Sequence, residues 1–183
     1  MDDQQLIRVS RFLSKHLRHQ PERLGLTLEP GGWVFVEDLL IGCEESGFAI
    51  SRDELAEVVR RNDKQRFSFD DSGERIRANQ GHSAAVDLRL EPTEPPPTLF
   101  HGTPEKFVEN ILREGLRKMS RHHVHLSRDM ETAKKVGRRR GKPVVFEINA
   151  AAMHSAGFVF FCSTNGVWLV DNVPPEYLRV IFS

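Results

Sequence analysis

Leu6, Val9, Leu13 and Leu17 are spaced three and four residues apart, which predicts an amphipathic helix over residues 4–18, stopped by Pro21. A second helix is expected over 36–45, with Val36, Leu39, Leu40 and Cys43 turned inward and Gly47 beyond its end. A third begins after Ser51, whose spacing to Glu54 is that of a capping box, and Leu55, Val58 and Val59 supply its buried face. Phe67 and Phe69 then alternate as in a strand, Asp71-Ser72-Gly73 makes a turn, and Arg75-Ile76-Arg77 reads as the returning strand. Three helices followed by a hairpin is the winged-helix order, an order that other small α+β units share.

The pattern breaks at Glu91-Pro92-Thr93-Glu94-Pro95-Pro96-Pro97, where the prolines can continue neither a helix nor a central strand. The expected organisation is therefore a first lobe over 1–91, a semi-rigid linker over 92–97 and a second lobe over 98–183. Beyond the linker, Leu99-Phe100 leads as a strand into His101-Gly102-Thr103. Pro104 then suits the first turn of a helix carrying Phe107, Val108, Ile111 and Leu112 and closed by Gly115. Val124 and Leu126 alternate with His123 and His125, a short helix is expected over 130–137, and strands are expected over 144–148, 157–162, 167–170 and 177–182. This lobe reads as α+β with a mostly antiparallel, split sheet.

Composition narrows the class. With 39% hydrophobic and 28% charged residues the 183-residue chain reads as an ordinary globular protein. No apolar run approaches the roughly 20 residues that span a bilayer, and the N-terminus has no continuous apolar stretch of the signal-peptide kind, so no membrane partner is expected. Cys43 and Cys162 are isolated, which fits a reducing, cytoplasmic location. The net charge is zero, but residues 1–90 hold 13 basic against 16 acidic residues and residues 91–183 hold 13 against 10. Neither half has the basic surplus of a protein that coats nucleic acid, so an anion would be gripped by a few placed arginines.

Three segments could place them. Arg18-His19 ends the first helix, where basic side chains also simply complement the helix dipole. Arg77-Ala78-Asn79-Gln80-Gly81-His82-Ser83 is dense in donors and contains a glycine that lets backbone approach a ligand, or is a polar turn. His101-Gly102-Thr103, read as opening a helix, would offer N–H groups to a pyrophosphate. His123 and His125 share one face of a strand, but no Cys, Asp or Glu nearby completes a zinc set, so they read as hydrogen-bonding or packing residues and no metal is expected. The run Arg138-Arg139-Arg140-Gly141-Lys142 reads as a solvated basic face that could touch an RNA backbone. There is no phosphate-binding Gly-rich loop with Lys, no GxGxxG and no acidic cluster for two-metal chemistry, so phosphate handling would fall to arginines.

In order and spacing these segments resemble the NAD-dependent RNA 2′-phosphotransferases, a family associated with tRNA splicing. The resemblance rests on the stretch from Leu13 to Pro21, on Gly32-Trp33-Val34, on Ile76 to Ser83, and on Leu99-Phe100-His101-Gly102-Thr103. It continues through Arg121 with His123-Val124-His125-Leu126-Ser127, Gly141-Lys142-Pro143-Val144, and Asn165-Gly166-Val167-Trp168-Leu169 with Val173-Pro174-Pro175. Arg140 departs from it, standing where the family has histidine.

The resemblance implies a winged-helix-like RNA lobe joined to an ADP-ribosyltransferase-like NAD lobe. It implies a catalytic set of Arg18, His19, Arg77 and Arg121 facing one cleft, with His101, Gly102, Thr103, Ser127 and, less directly, Val167 at the NAD site. It implies NAD⁺ as co-substrate, a 2′-phosphorylated, tRNA-like RNA as partner and a monomeric enzyme. The activity implied moves an internal 2′-phosphate from RNA to NAD⁺ through an ADP-ribosylated RNA phosphate, giving a 2′-hydroxyl, nicotinamide and ADP-ribose 1″,2″-cyclic phosphate. No catalytic glutamate of the protein-modifying ADP-ribosyltransferases stands at Val167. The competing expectations are an ADP-ribosyltransferase acting on terminal phosphates of nucleic acid, and a non-enzymatic winged-helix DNA binder. The acidic start of the third helix, Asp53, Glu54 and Glu57, disfavours the second.

Overall fold

In the computed structural model, which describes residues 1–62 and 64–181 and all their side chains except that of Arg140, the chain is α+β and divides into two compact units, 1–89 and 90–183.

The first unit opens with α1 (Asp3–His19), started by an Asp2–Gln5 capping box and burying Val9, Leu13 and Leu17. A 3-10 turn at Pro21–Leu24 follows, then β1 (Trp33–Phe35) and α2 (Val36–Glu45). α3 (Arg52–Arg61) is held by the expected Ser51–Glu54 capping box, and β2 (Phe67–Phe69) and β3 (Arg75–Ala78) form the hairpin. β1 is an element that the periodicity did not predict. It pairs antiparallel with β3, so the sheet order is β1-β3-β2 and β3 is central. Successive residues of a strand point to opposite faces. Ile76 and Ala78 therefore enter the core with Leu13, Leu17, Leu39 and Leu55, and Arg75 and Arg77 emerge on the other face.

The second unit begins with the proline-rich segment. Its backbone is engaged by Phe160 and Phe161: Thr93 N–H donates to the Phe160 carbonyl at 2.8 Å, and Pro92 forms a bridge with Phe161. β4 (Thr98–Pro104), a 3-10 turn (Glu105–Phe107), α4 (Val108–Glu114), β5 (Leu116–Arg117), β6 (Val124–Leu126) and α5 (Met130–Gly137) follow. β7 (Pro143–Asn149), α6 (Ala150–Ser155), β8 (Phe160–Cys162), β9 (Trp168–Val170), β10 (Asn172–Val173) and β11 (Leu178–Ile181) complete it. Phe182, expected in the last strand, lies outside the described residues.

Two three-stranded antiparallel sheets, β11-β7-β4 and β6-β9-β8, are joined by the bridge Phe100–Ser127, and β5 and β10 form a separate two-stranded ribbon. Leu99, Phe146, Ile148, Leu126, Trp168 and Phe160 fill the core between them.

One expectation is corrected. His101-Gly102-Thr103 does not open a helix. It lies inside β4, opposite Phe146, Val145 and Val144 of β7. Pro104, the residue that suggested a helix start, has φ −64° and ψ 142°; the ring fixes φ, but this ψ is that of extended chain. Gly102 has a packing reason to be glycine: a Cβ there would run into the Ala133 carbonyl of α5 and stand 3.0 Å from Gly137 N. The strand expected over 157–162 begins only at Phe160, because the N–H groups of Gly157 (φ +93°) and Phe158 turn back to the His154 and Met153 carbonyls at the end of α6.

Candidate active site

In the first unit, the end of α1 and the end of β3 are tied to each other by the loop after Ala78. The N–H groups of Ser83 and Ala84 both donate to the Arg18 carbonyl, at 2.9 and 3.0 Å. A carbonyl in the last turn of a helix has no intrahelical partner, so this loop caps the helix where Arg18-His19 leaves it. The His19 ring is held by the same residue, with Nδ1 2.8 Å from Ser83 Oγ. The loop is anchored at its other end by Asn79, which is buried, takes the Arg66 carbonyl with its N–H at 2.8 Å and the Gln65 carbonyl with Nδ2 at 2.6 Å.

Arg77 is placed by β1. It stands directly opposite Trp33, and its guanidinium lies over the indole, 4.5 Å from the ring centroid. The planar, weakly hydrated guanidinium suits such a stack. Gly31 and Gly32, at φ +90° and +78°, make the sharp entry to β1 that lets the chain pass under Arg77, whose Nη1 donates to the Gly31 carbonyl at 3.4 Å. A side chain on Gly32 would press on His82 Nε2 at 3.2 Å. The two arginines of β3 differ in setting. Arg75 is paired with Asp70 at 2.9 Å and Glu29 at 3.6 Å, which hold its charge in place. Arg77 is half-buried over an aromatic face, and burial lowers its pKa, although an arginine remains charged at any working pH. An anion would gain more from a charge already stripped of part of its water.

In the second unit, His101, Arg121, Ser127 and Val167 are connected through β6. The His101 ring lies against the His125 carbonyl, Nδ1 to O 3.0 Å. A carbonyl only accepts, so Nδ1 carries the proton. Burial lowers the pKa of His101, the bond to the His125 carbonyl opposes this, and the charge of Arg121 adds to the lowering. The neutral ring thus presents Nε2 as an acceptor. Arg121 Nη1 is 3.2 Å from His125 Nδ1, so one residue fixes His101 by its main chain and Arg121 by its ring. Ser127 exchanges both backbone bonds with Phe100, at 2.7 and 2.8 Å. Leu126 pairs with Trp168, which brings Val167 to the same end of the sheet as Ser127. Val167 is held there by Ser163, whose Oγ donates to its carbonyl at 3.1 Å.

Thr103 is buried, and the Cα of Gly102 faces α5, so any ligand contact by Gly102 is made by its backbone. Among the described residues no group of three or more His, Cys, Asp or Glu side chains is arranged to hold a metal ion. No helix among them is long and apolar enough to cross a membrane.

The structure thus groups Arg18, His19 and Arg77 within the first unit and His101, Arg121, Ser127 and Val167 within the second. Sequence reasoning missed three supporting residues: Ser83, Trp33 and His125. All lie in the segments that carry the resemblance, and the alternation of His123 and His125 was the one local sign of the third.

Residues 4–172 match the family model described as "RNA 2′-phosphotransferase, Tpt1 / KptA family". A "Probable RNA 2′-phosphotransferase" of Trichormus variabilis is 61% identical over 99% of this chain and 100% of its own length. Proteins of the same description from Streptomyces griseus and Flavobacterium johnsoniae are 57% and 50% identical, covering 97% and 93% of this chain and 98% and 94% of their own. A match of this extent, in a chain with arginines placed as described, means that the protein belongs to the RNA 2′-phosphotransferase, Tpt1 / KptA family.

Proposed function

We propose that this chain is an NAD⁺-dependent transferase that moves an internal 2′-phosphate of RNA onto the ribose of NAD⁺. The first unit is a winged-helix-like RNA lobe and the second an ADP-ribosyltransferase-like NAD⁺ lobe. The observation that carries the reading is the setting of Arg77: a half-buried guanidinium stacked on Trp33, on a strand tied through Ser83 to Arg18-His19.

A phosphomonoester is largely dianionic near neutral pH, its second pKa being about 6. It is already a nucleophile, so no glutamate is needed to activate it, consistent with Val167 at the third signature position. A phosphate oxygen bonds to C1″ of the co-substrate NAD⁺ as the nicotinamide nitrogen leaves. Ribose O2″ then bonds to phosphorus as the P–O2′ bond to RNA breaks, and a proton passes to the RNA oxygen. Arg18, Arg77 and Arg121 orient the phosphate and stabilise the charge on its oxygens in both steps. His19 moves the proton, since an imidazole exchanges one near neutral pH.

The residues of the second unit suit a dinucleotide. His101 Nε2 accepts a ribose hydroxyl while Nδ1 is occupied by the His125 carbonyl. The backbone of Ser127 is spent on Phe100, so a hydrogen bond from Ser127 to the ligand would come from its hydroxyl, and Val167 offers apolar contact.

The test is an oligonucleotide with one internal 2′-phosphate, incubated with and without NAD⁺. The reading requires loss of the phosphate and release of nicotinamide only when both substrates are present. ADP-ribose left on the RNA as the end product would favour a terminal-phosphate ADP-ribosyltransferase instead.

A smaller effect follows for Ser83. Ser83→Ala removes the Oγ contact to His19 but leaves the backbone bonds to the Arg18 carbonyl. One hydrogen bond of this kind is worth about 1 kcal/mol, so kcat should fall roughly fivefold. Thermal scans should show the midpoint lowered by no more than a few degrees. A wild-type kcat in Ser83→Ala would show that His19 does not depend on that hydroxyl.

A further inference from the structure

We propose that His125 is a positioning residue that sets the catalytic orientation of Arg121, an inference that rests on the phosphotransfer reading above. Arginine has donors only, so the 3.2 Å contact from Arg121 Nη1 requires His125 Nδ1 to be an unprotonated acceptor. The ring proton of His125 therefore sits on Nε2. His125 is central in β6, opposite Leu169 of β9 and between buried Val124 and Leu126, so its Cα is fixed by the sheet. Arg121 lies in an irregular segment between β5 and β6 and is itself exposed. A long side chain on such a segment loses rotamer freedom only if something rigid holds it. His125 supplies such a rigid contact, and it couples the guanidinium to the same backbone unit that orients His101.

The two roles of His125 separate chemically. The contact to His101 uses the main-chain carbonyl and survives any side-chain change. The contact to Arg121 uses Nδ1 and survives only in a residue with an acceptor at that distance from Cα. Asparagine has one, in Oδ1; glutamine places its acceptor one carbon further out, where Nε2 stood. Displacing a catalytic group by about 1 Å costs up to roughly 100-fold in rate.

His125→Ala, His125→Asn and His125→Gln are compared with the wild type in two ways. In the first, without substrate, arginine side-chain NMR resonances are recorded, with Arg121 assigned by its loss in Arg121→Lys. Slower Nη rotation at Arg121 is expected in the wild type and His125→Asn than in His125→Ala and His125→Gln. In the second, steady-state kinetics should give kcat about 10- to 100-fold lower for Ala and Gln, recovery to within about threefold for Asn, and KM for NAD⁺ unchanged in all. Equal Arg121 dynamics in wild type and His125→Ala overturns the inference, as does an Asn variant no better than Ala or a loss confined to KM. If the NMR pattern appears and the wild type consumes no NAD⁺, the positioning contact stands and the functional reading falls.

Discussion

Arg77→Ala is expected to lower the rate of 2′-phosphate transfer by at least about 10²-fold while leaving the protein folded, and Arg77→Lys is expected not to restore it. A preorganised donor aimed at developing oxyanion charge typically contributes 10²–10³ in kcat, roughly 3–4 kcal/mol. Arg77 has the setting for this: half-buried, stacked on Trp33 and donating to the Gly31 carbonyl. Lysine keeps the charge but offers a point ammonium on a flexible stem instead of a planar fork. It can neither stack on the indole in the same way nor give two parallel bonds to phosphate. The fold should tolerate the change, because Arg77 points away from the core that Ile76 and Ala78 enter. Its stack on Trp33 is worth about 1 kcal/mol, which lowers the melting point by only a few degrees. Steady-state rates and a thermal scan decide together. An Arg77→Ala variant within threefold of wild type removes Arg77 from the phosphate site.

The second large effect is structural and falls on a residue that the family resemblance assigns to the NAD⁺ site. Gly102→Ala is expected to destabilise the second unit by about 3 kcal/mol, because the added methyl meets backbone on two sides. The Ala133 carbonyl is in its path and Gly137 N lies 3.0 Å away. Gly137 is as constrained in return, since a Cβ on it would sit 3.1 Å from both Thr103 N and O. Two glycines thus let α5 lie directly on β4, and neither partner is a flexible side-chain end that can swing aside. For a domain of this size the melting temperature falls by roughly 4–8 °C per kcal/mol, so a drop of more than 10 °C is expected. Circular dichroism with temperature measures it. A Gly102→Ala protein that melts normally and binds NAD⁺ poorly would move Gly102 from packing to ligand contact.

How much of this was legible beforehand differs by element. α1, α2, α3 and α5 fall within a residue or two of expectation, because each has apolar residues at helical spacing and α3 shows its capping box in the sequence. β1, β5 and β10 were not legible. They are two or three residues long, too short for alternation to register, and exist because a distant strand supplies the partner. α6 is an Ala-Ala-Ala-Met-His-Ser stretch whose single turn and a half gives no period. The helix start expected at His101 failed on one angle, the ψ of Pro104, which the proline ring does not set.

The candidate residues divide likewise. Arg18, His19, Arg77 and Arg121 were nameable because they sit in segments of the family pattern, though each has an ordinary local explanation. Their supports were not, since Ser83, which contacts His19, lies 64 residues away and Trp33 meets Arg77 through the β1–β3 register. A side chain that acts by holding another leaves no periodic trace.

Whether the phosphate leaves RNA by transfer to NAD⁺ or by hydrolysis is decided by following the phosphorus itself. An RNA oligonucleotide labelled with ³²P at one internal 2′-phosphate is incubated with the enzyme and NAD⁺, and the label and nicotinamide are quantified together. Transfer requires that the label leave the RNA as a cyclic phosphate of ADP-ribose, with one nicotinamide released for each phosphate removed. Label appearing as inorganic phosphate at the same rate without NAD⁺ would contradict it.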